Sequence, residues 1–383
     1  LTKKGSLVPL KMLLFSFHGA NTMVVSFLPL LLTYRGLSGR EIGWVLAIGP
    51  AVSIFAKPFW GYMSDKFQTV RRIIILCTIG LMISSAIFFQ LTTISLILGF
   101  AFIFYFFATP IGSLADSLSH RRAEAIGVSF GSIRTWGSLG FAINSLLVGT
   151  LMDLIGIQHL VIPYLFMVGM LLIISFRLVD VQVDVPPIQF GDLKKLIKNR
   201  PLIIFLLLLL LVTITHRMND SFVSLFIGQL GGHDTLVGWA WFMGVASEAA
   251  VFATGGYWFR KYHPLVFMIS AGLLYSIRWF LYAWIDAPLL IVIFQVMHGL
   301  SFGVFYSAAF EYVARLIPRE LQSTGHLVFM TVFFGISGII GSLSGGMLME
   351  NFGGNTMYFI MGCMTIAGSI LIAFYHTVTM KKL

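Results

Sequence analysis

Long apolar runs follow one another along the whole chain, as in PLIIFLLLLLLVTIT from Pro201. A helix crosses the hydrocarbon core of a bilayer with roughly 20 apolar residues, whereas a barrel strand needs about 10. Runs of this length predict helices, because a helix satisfies its own backbone groups where no water can. The composition agrees: 58% of residues are hydrophobic and 10% are charged, whereas a soluble domain carries about 25% charged residues. The 36 phenylalanines also exclude a disordered chain. A span with its connection takes roughly 30 residues. The 383 residues therefore leave room for about twelve spans and no large soluble catalytic domain. The first apolar run is long enough to be a span and is read as one, not as a cleaved leader.

The expected fold class is an all-α membrane protein with twelve transmembrane helices in two pseudo-symmetric six-helix halves. Spans are expected near 8–34, 41–63, 73–91, 94–119, 130–152, 158–177, 201–228, 235–259, 264–285, 288–314, 322–349 and 356–379. Residues 1–176 form the expected N-terminal bundle and residues 201–383 the C-terminal bundle. The connection 177–200 is a cytoplasmic linker holding Asp180, Asp184, Pro186, Pro187, Asp192, Lys194, Lys195 and Lys198. With the amino terminus inside, eighteen of the 25 Lys and Arg fall on cytoplasmic segments, and only Arg35 and Arg40 face the other side. This bias predicts both termini in the cytoplasm of a cell-membrane protein. It also accounts for the net charge of +10 without a nucleic-acid partner. Cys77 and Cys363 both sit in apolar runs, so neither a disulfide framework nor a zinc site is expected. No phosphate-cradling loop of the G-x-x-x-x-G-K-[ST] type occurs, so ATP does not drive the protein directly. No cofactor and no metal are expected. The partners are a small-molecule substrate, protons and the bilayer, and the chain is expected to be a monomer.

The two halves repeat. His18-x-x-Asn21 with Val25-Ser26 recurs as His216-x-x-Asn219 with Val223-Ser224, 198 residues on. Gly43-Trp44 and Gly49 recur 195 residues on as Gly238-Trp239 and Gly244, and Asp116 recurs at the same offset as Glu311. Six spans repeated once in the same orientation are a parallel repeat. That architecture belongs to transporters with a midplane site between two halves that rock.

At this point the residues resemble a family. Gly61-x-x-x-Asp65-Lys66 followed by Arg71-Arg72 resembles the loop signature of the major facilitator superfamily, with Gln68 standing where that signature has glycine. A degenerate copy, Gly256-x-x-x-Arg260-Lys261, follows span eight. Within the superfamily the likeness is to the proton symporters around lactose permease, the nucleoside symporters and the phenylpropionate permeases. The segment Arg134-Thr135-Trp136-Gly137-Ser138-Leu139-Gly140-Phe141 resembles span five of the nucleoside symporters, whose arginine lines the substrate cavity. Glu248 precedes Arg278 by thirty residues, Asp116 precedes Arg134 by eighteen, and Arg278 precedes His298 by twenty, as paired functional residues do in those symporters. Ser301 replaces the acid that lactose permease carries one turn after the histidine. The resemblance implies alternating access, with Gly61, Asp65, Lys66 and Arg71 as a gating loop.

A charge at the bilayer centre costs about 3 kcal/mol, so a span that keeps one usually points it at a cavity or a partner. Glu248, Arg278 and His298 are the candidate proton-coupling residues, since burial favours the protonated form of an acid and histidine titrates near neutral pH. The substrate-binding candidates are Asn21, Asp116, Arg134, Ser138, Phe141, His216, Asn219, Glu248, His298 and Phe302. Arg134 offers a fork of donors, with Asp116 to set its position. Phe141 and Phe302 are placed to stack on a planar ligand. Asn21, Arg134, Asn219, Glu248 and His298 are expected to converge on one cavity near mid-membrane. Each candidate also has a structural alternative. Arg134–Asp116 can be a plain ion pair, the His/Asn pairs can be interhelical glue, and Glu248 can be a buried acid paired to Arg278. Glu311 and Arg315 are expected to pair locally, as are Arg217 and Asp220 at the outer end of span seven. The leading function is a secondary active transporter coupling protons to uptake of a small polar solute: a nucleoside, a sugar or an aromatic acid. The alternative is a proton-driven multidrug efflux antiporter. An enzyme would need a reactive constellation at a membrane face, which the sequence does not contain.

Overall fold

The computed structural model describes residues 6–180, 195–196, 198–259 and 261–380. Among these residues the secondary structure is helical throughout, with no strand. Ten helices long and apolar enough to cross a membrane come first: α1 (Val8–Tyr34), α2 (Gly39–Lys66), α3 (Val70–Phe88), α4 (Ile94–Ile126), α5 (Phe130–Ile155), α6 (Ile157–Ser175), α7 (Arg200–Gln229), α8 (Asp234–Gly255), α9 (Pro264–Ala283) and α10 (Pro288–Leu316). An eleventh stretch, Thr324–Thr379, runs for 56 residues. As one straight helix it would be about 84 Å long, nearly three bilayer cores. The backbone breaks it at Gly353, where φ is 78° and ψ is 169°. A side chain disfavours that conformation and glycine tolerates it. The stretch is therefore two spans, α11 (324–352) and α12 (354–379), and the count is twelve.

The chain forms two compact units. The first is Leu1–Val185 with His233–Phe242, and the second is Pro186–Gly232 with Met243–Leu383. Most of the linker lies outside the described residues, including Asp184, Pro186, Pro187, Asp192 and Lys194. So do Lys3, Lys4, Arg260, Lys381 and Lys382 of the orientation count.

Close backbone packing shapes both units. In the first, a Cβ at Gly140 would lie 2.2 Å from the Phe15 carbonyl oxygen, so α5 rests directly on α1. In the second, the glycine stripe of α11 meets α7: a Cβ at Gly341 would lie 2.9 Å from the Ile214 carbonyl oxygen. Three spans carry a turn of π-helix, at Met23–Phe27, Gly299–Gly303 and Thr331–Ile336. Such wide turns recur at functional sites, because they re-aim side chains and free backbone groups.

The expected gating loop is mostly helix. Gly61, Asp65 and Lys66 lie in the last turns of α2, Arg71 lies in the first turn of α3, and only 67–69 connect them. Gln68 adopts φ 52°, the left-handed region that explains a glycine preference at this place. Thr69 caps α3 by accepting from the Arg72 amide at 3.2 Å. Asp180, at the start of the linker, accepts from the Thr69 hydroxyl at 2.7 Å and from the Arg71 amide at 2.8 Å.

Candidate transport site

In the first unit the charged candidates meet beside α1. The Arg134 Nε lies 3.5 Å from Asp116 Oδ1, and both side chains are over a third exposed. Arg134 and His18 come together over Gly137, where a Cβ would lie 2.5 Å from an atom of each. The missing side chain at Gly137 makes room for both. Ser138 and Phe141, on the same helix, are half-buried. The ring of Phe141 lies 5.7 Å from that of Trp241 within this unit. Asn21 is half-buried on α1, three residues beyond His18. Arg134 therefore keeps donors exposed beside a carboxylate that already balances its charge.

In the second unit the candidates form a polar chain deep in the bundle. The Arg278 guanidinium is fully buried, yet no acid lies within ion-pair distance of it among the described residues. It donates to the Gln295 side-chain oxygen and, at 3.3 Å, to the Tyr282 hydroxyl. It lies 4.8 Å above the Trp279 ring, a cation–π contact. Its Nη1 faces His298 Nδ1 at 3.3 Å. A guanidinium only donates, so Nδ1 must accept and the neutral imidazole carries its proton on Nε2. That Nε2 points at Glu248, 3.8 Å from Oε2. The gap is too long for a hydrogen bond and short enough for a small movement to close. Glu248 remains 26% exposed while its histidine is nearly covered. The direct pairing of Glu248 with Arg278 is thus replaced by a relay through His298.

The backbone explains why these groups meet. Gly299 begins a π turn and donates its amide to the Ser247 hydroxyl at 2.9 Å. A Cβ there would lie 2.2 Å from the Ser247 carbonyl oxygen, so α8 and α10 touch beside Glu248 and His298. Gly299→Ala is expected to force these helices apart. It should lower stability by about 1–3 kcal/mol, as overpacking does, read as a lower melting temperature in detergent.

His216 and Asp220 extend the network. His216 Nδ1 faces the Tyr275 hydroxyl at 3.0 Å, and its Nε2 lies 3.4 Å from Asp220 Oδ2. Arg217 pairs with the same oxygen at 2.7 Å, as expected, while Asp220 Oδ1 is buried with no hydrogen-bond partner. Phe302 is not free to receive a ligand on both faces: His216 stacks on it at 4.4 Å and His298 at 5.2 Å. Asn219 accepts from the Tyr358 hydroxyl at 3.1 Å, holding α7 to α12. Glu311 and Arg315 pair locally at 2.6 Å. Sequence reasoning missed Gln295, Tyr282 and Tyr275 and left Asp220 at the periphery. Helical spacing was the available signal, since Gln295 lies three residues before His298 and Tyr282 four after Arg278.

Twelve apolar helices with charged groups held at depth define a multi-pass membrane transporter. Residues 7–360 match the MFS_1 like family, and the chain belongs to that family within the major facilitator superfamily. It is 30% identical to the maltose permease of Geobacillus stearothermophilus over 345 residues, covering 88% of this chain and 86% of the permease. It is 26% identical over 360 residues to the uncharacterized transporter YwbF of Bacillus subtilis (strain 168), covering 93% and 89%. Its fold is similar to that of the nucleoside transporter NupG, with a TM-score of 0.87, 16% identity and coverage of 96% and 98%. The chain is accordingly a secondary transporter of the cell membrane that takes a small-molecule substrate.

Proposed function

We propose that the chain takes up a small polar solute together with protons, with Glu248 as the proton carrier and His298 and Arg278 tuning it. The observation that carries this reading is the order Glu248, His298, Arg278, in which the imidazole stands between an acid and a buried fixed cation. Solute binding is assigned to Arg134 and Asp116, with both termini cytoplasmic and the chain working as a monomer. Arg134 already faces Asp116, so that pair leaves no net positive charge for a solute carboxylate to balance. This balance favours a neutral sugar or nucleoside over an aromatic acid. The relative named for maltose supports the sugar within this reading.

The test uses proteoliposomes with a pH-sensitive dye in the lumen. Adding maltose or uridine outside should acidify the lumen as solute enters, while 3-phenylpropionate should give a smaller signal. Solute-induced alkalinisation would indicate antiport, and solute flux without any pH change would remove the proton from the mechanism.

A further inference from the structure

We infer that Gln295 is a positioning residue for Glu248: it holds the Arg278 guanidinium by a hydrogen bond without cancelling its charge, so that the cation acts on Glu248 through the His298 ring. This deepens the reading of Glu248 as the proton carrier and rests on it for its bearing on transport. Its test needs no solute.

Gln295 lies three residues before His298, and the backbone turns both side chains toward α9. The Gln295 amide donates to the Ile291 and Val292 carbonyls at 2.9 and 3.3 Å, and the His298 amide donates to the Gln295 carbonyl at 2.9 Å. The helix therefore tightens here, just before it widens at Gly299–Gly303. Residues three apart eclipse in a tight turn. Gln295 Oε1 thus accepts from Arg278 Nη2 while His298 Nδ1 faces Nη1.

The partners of this guanidinium are neutral among the described residues. Besides Gln295 and His298 they are the Tyr282 hydroxyl and the faces of Trp279 and Tyr282, at 4.8 and 5.3 Å. Tyr282 is itself fixed, donating to the Ile291 carbonyl at 3.3 Å. The nearby charged groups are engaged elsewhere. On α7, Asp220 is paired to Arg217 at 2.7 Å and lies 3.4 Å from His216, whose ring is 5.7 Å from that of His298. On α8, Glu248 meets His298 at 3.8 Å. Tyr275 is bonded to His216 and Tyr358 to Asn219.

A buried charge with no opposite charge beside it is costly. Glutamate has nearly the shape of glutamine, and at this position it would give Arg278 a charge-assisted pair. Compensating the cation would take only that change. The amide satisfies the same donor and leaves the charge in place, with the imidazole and then the acid on its far side.

The experiment takes infrared difference spectra of the solute-free full chain in lipid across pH, which read protonated carboxyl groups. The part of the band that Glu248→Gln removes belongs to Glu248. A nearby cation favours the ionised form of an acid. Gln295→Glu keeps the acceptor and cancels the cation, so the midpoint of the Glu248 band should rise by about one pH unit. Its melting temperature should be no lower than the parent's. Glu248→Gln combined with Gln295→Glu subtracts any signal of the new carboxyl. Gln295→Met keeps the cation and loses the acceptor, so it should melt earlier without raising the midpoint. A glutamine that serves packing alone would leave the midpoint where it is in both variants. An unmoved midpoint in Gln295→Glu overturns the proposal, as does an equal rise in Gln295→Met. So does a Gln295→Glu chain that fails to fold, or a parent with no band assignable to Glu248. The carrier reading fails by a different result: Glu248→Gln that still accumulates solute would remove it, while a shifted band would keep the assignment of Gln295.

Discussion

Glu248→Gln is expected to abolish uphill uptake while solute exchange continues. With one proton coupled to each solute, a pH difference of one unit supports about tenfold accumulation. In the variant that ratio should fall to about one, because the carboxamide keeps the shape of the acid and cannot carry a proton. Exchange needs no net proton movement, so counterflow of labelled solute should persist. The geometry predicts this split. Glu248 is partly open, and the His298 Nε2 that faces it at 3.8 Å is held in place by Arg278 on the other side of the ring. Measuring accumulation and counterflow in the same proteoliposomes decides the matter. Undiminished accumulation would move the carrier to Asp116, which stands 3.5 Å from Arg134, since Glu311 and Asp220 are tied to Arg315 and Arg217 at 2.6 and 2.7 Å.

The second large effect is expected at Arg134. Arg134→Ala should weaken solute binding roughly tenfold to a hundredfold, the worth of one or two hydrogen bonds from a charged donor. Arg134→Lys should recover only part of this, because a lysine keeps the charge and loses the planar fork. Lys57→Ala, on α2, is the comparison and should cost less. Equilibrium binding of maltose or uridine to purified protein separates the cases. Equal losses in Arg134→Ala and Lys57→Ala would make both residues structural. The side chain is a good candidate because it is half-exposed beside Asp116 over the bare Gly137 surface. A purely structural ion pair at that depth would be expected to bury both partners more fully.

The amino-acid sequence by itself determined the class of fold. Apolar runs of bilayer length, the recurrence of His18 and Asn21 as His216 and Asn219, and the skew of Lys and Arg are properties of the chain that no packing can alter. It also marked the charged residues at depth, because a span tolerates so few that each stands out. The local pairs Arg217–Asp220 and Glu311–Arg315 were legible for a similar reason, since residues three or four apart share a helix face. Tertiary structure alone decided which of the remaining polar groups met. Sequence spacing joined Glu248 to Arg278, but the contact between Gly299 and Ser247 sets α10 against α8, so that His298 comes between them. Arg278 found neutral partners in Gln295 and Tyr282, and Asp220 was drawn beside His216. Asn219 became a strut to Tyr358 on α12. The physical reason is one of range. Hydropathy and charge sum along the chain and can be read there, while a hydrogen bond depends on the rotation of one helix against another, which close backbone contacts at particular glycines fix only once the bundle has packed.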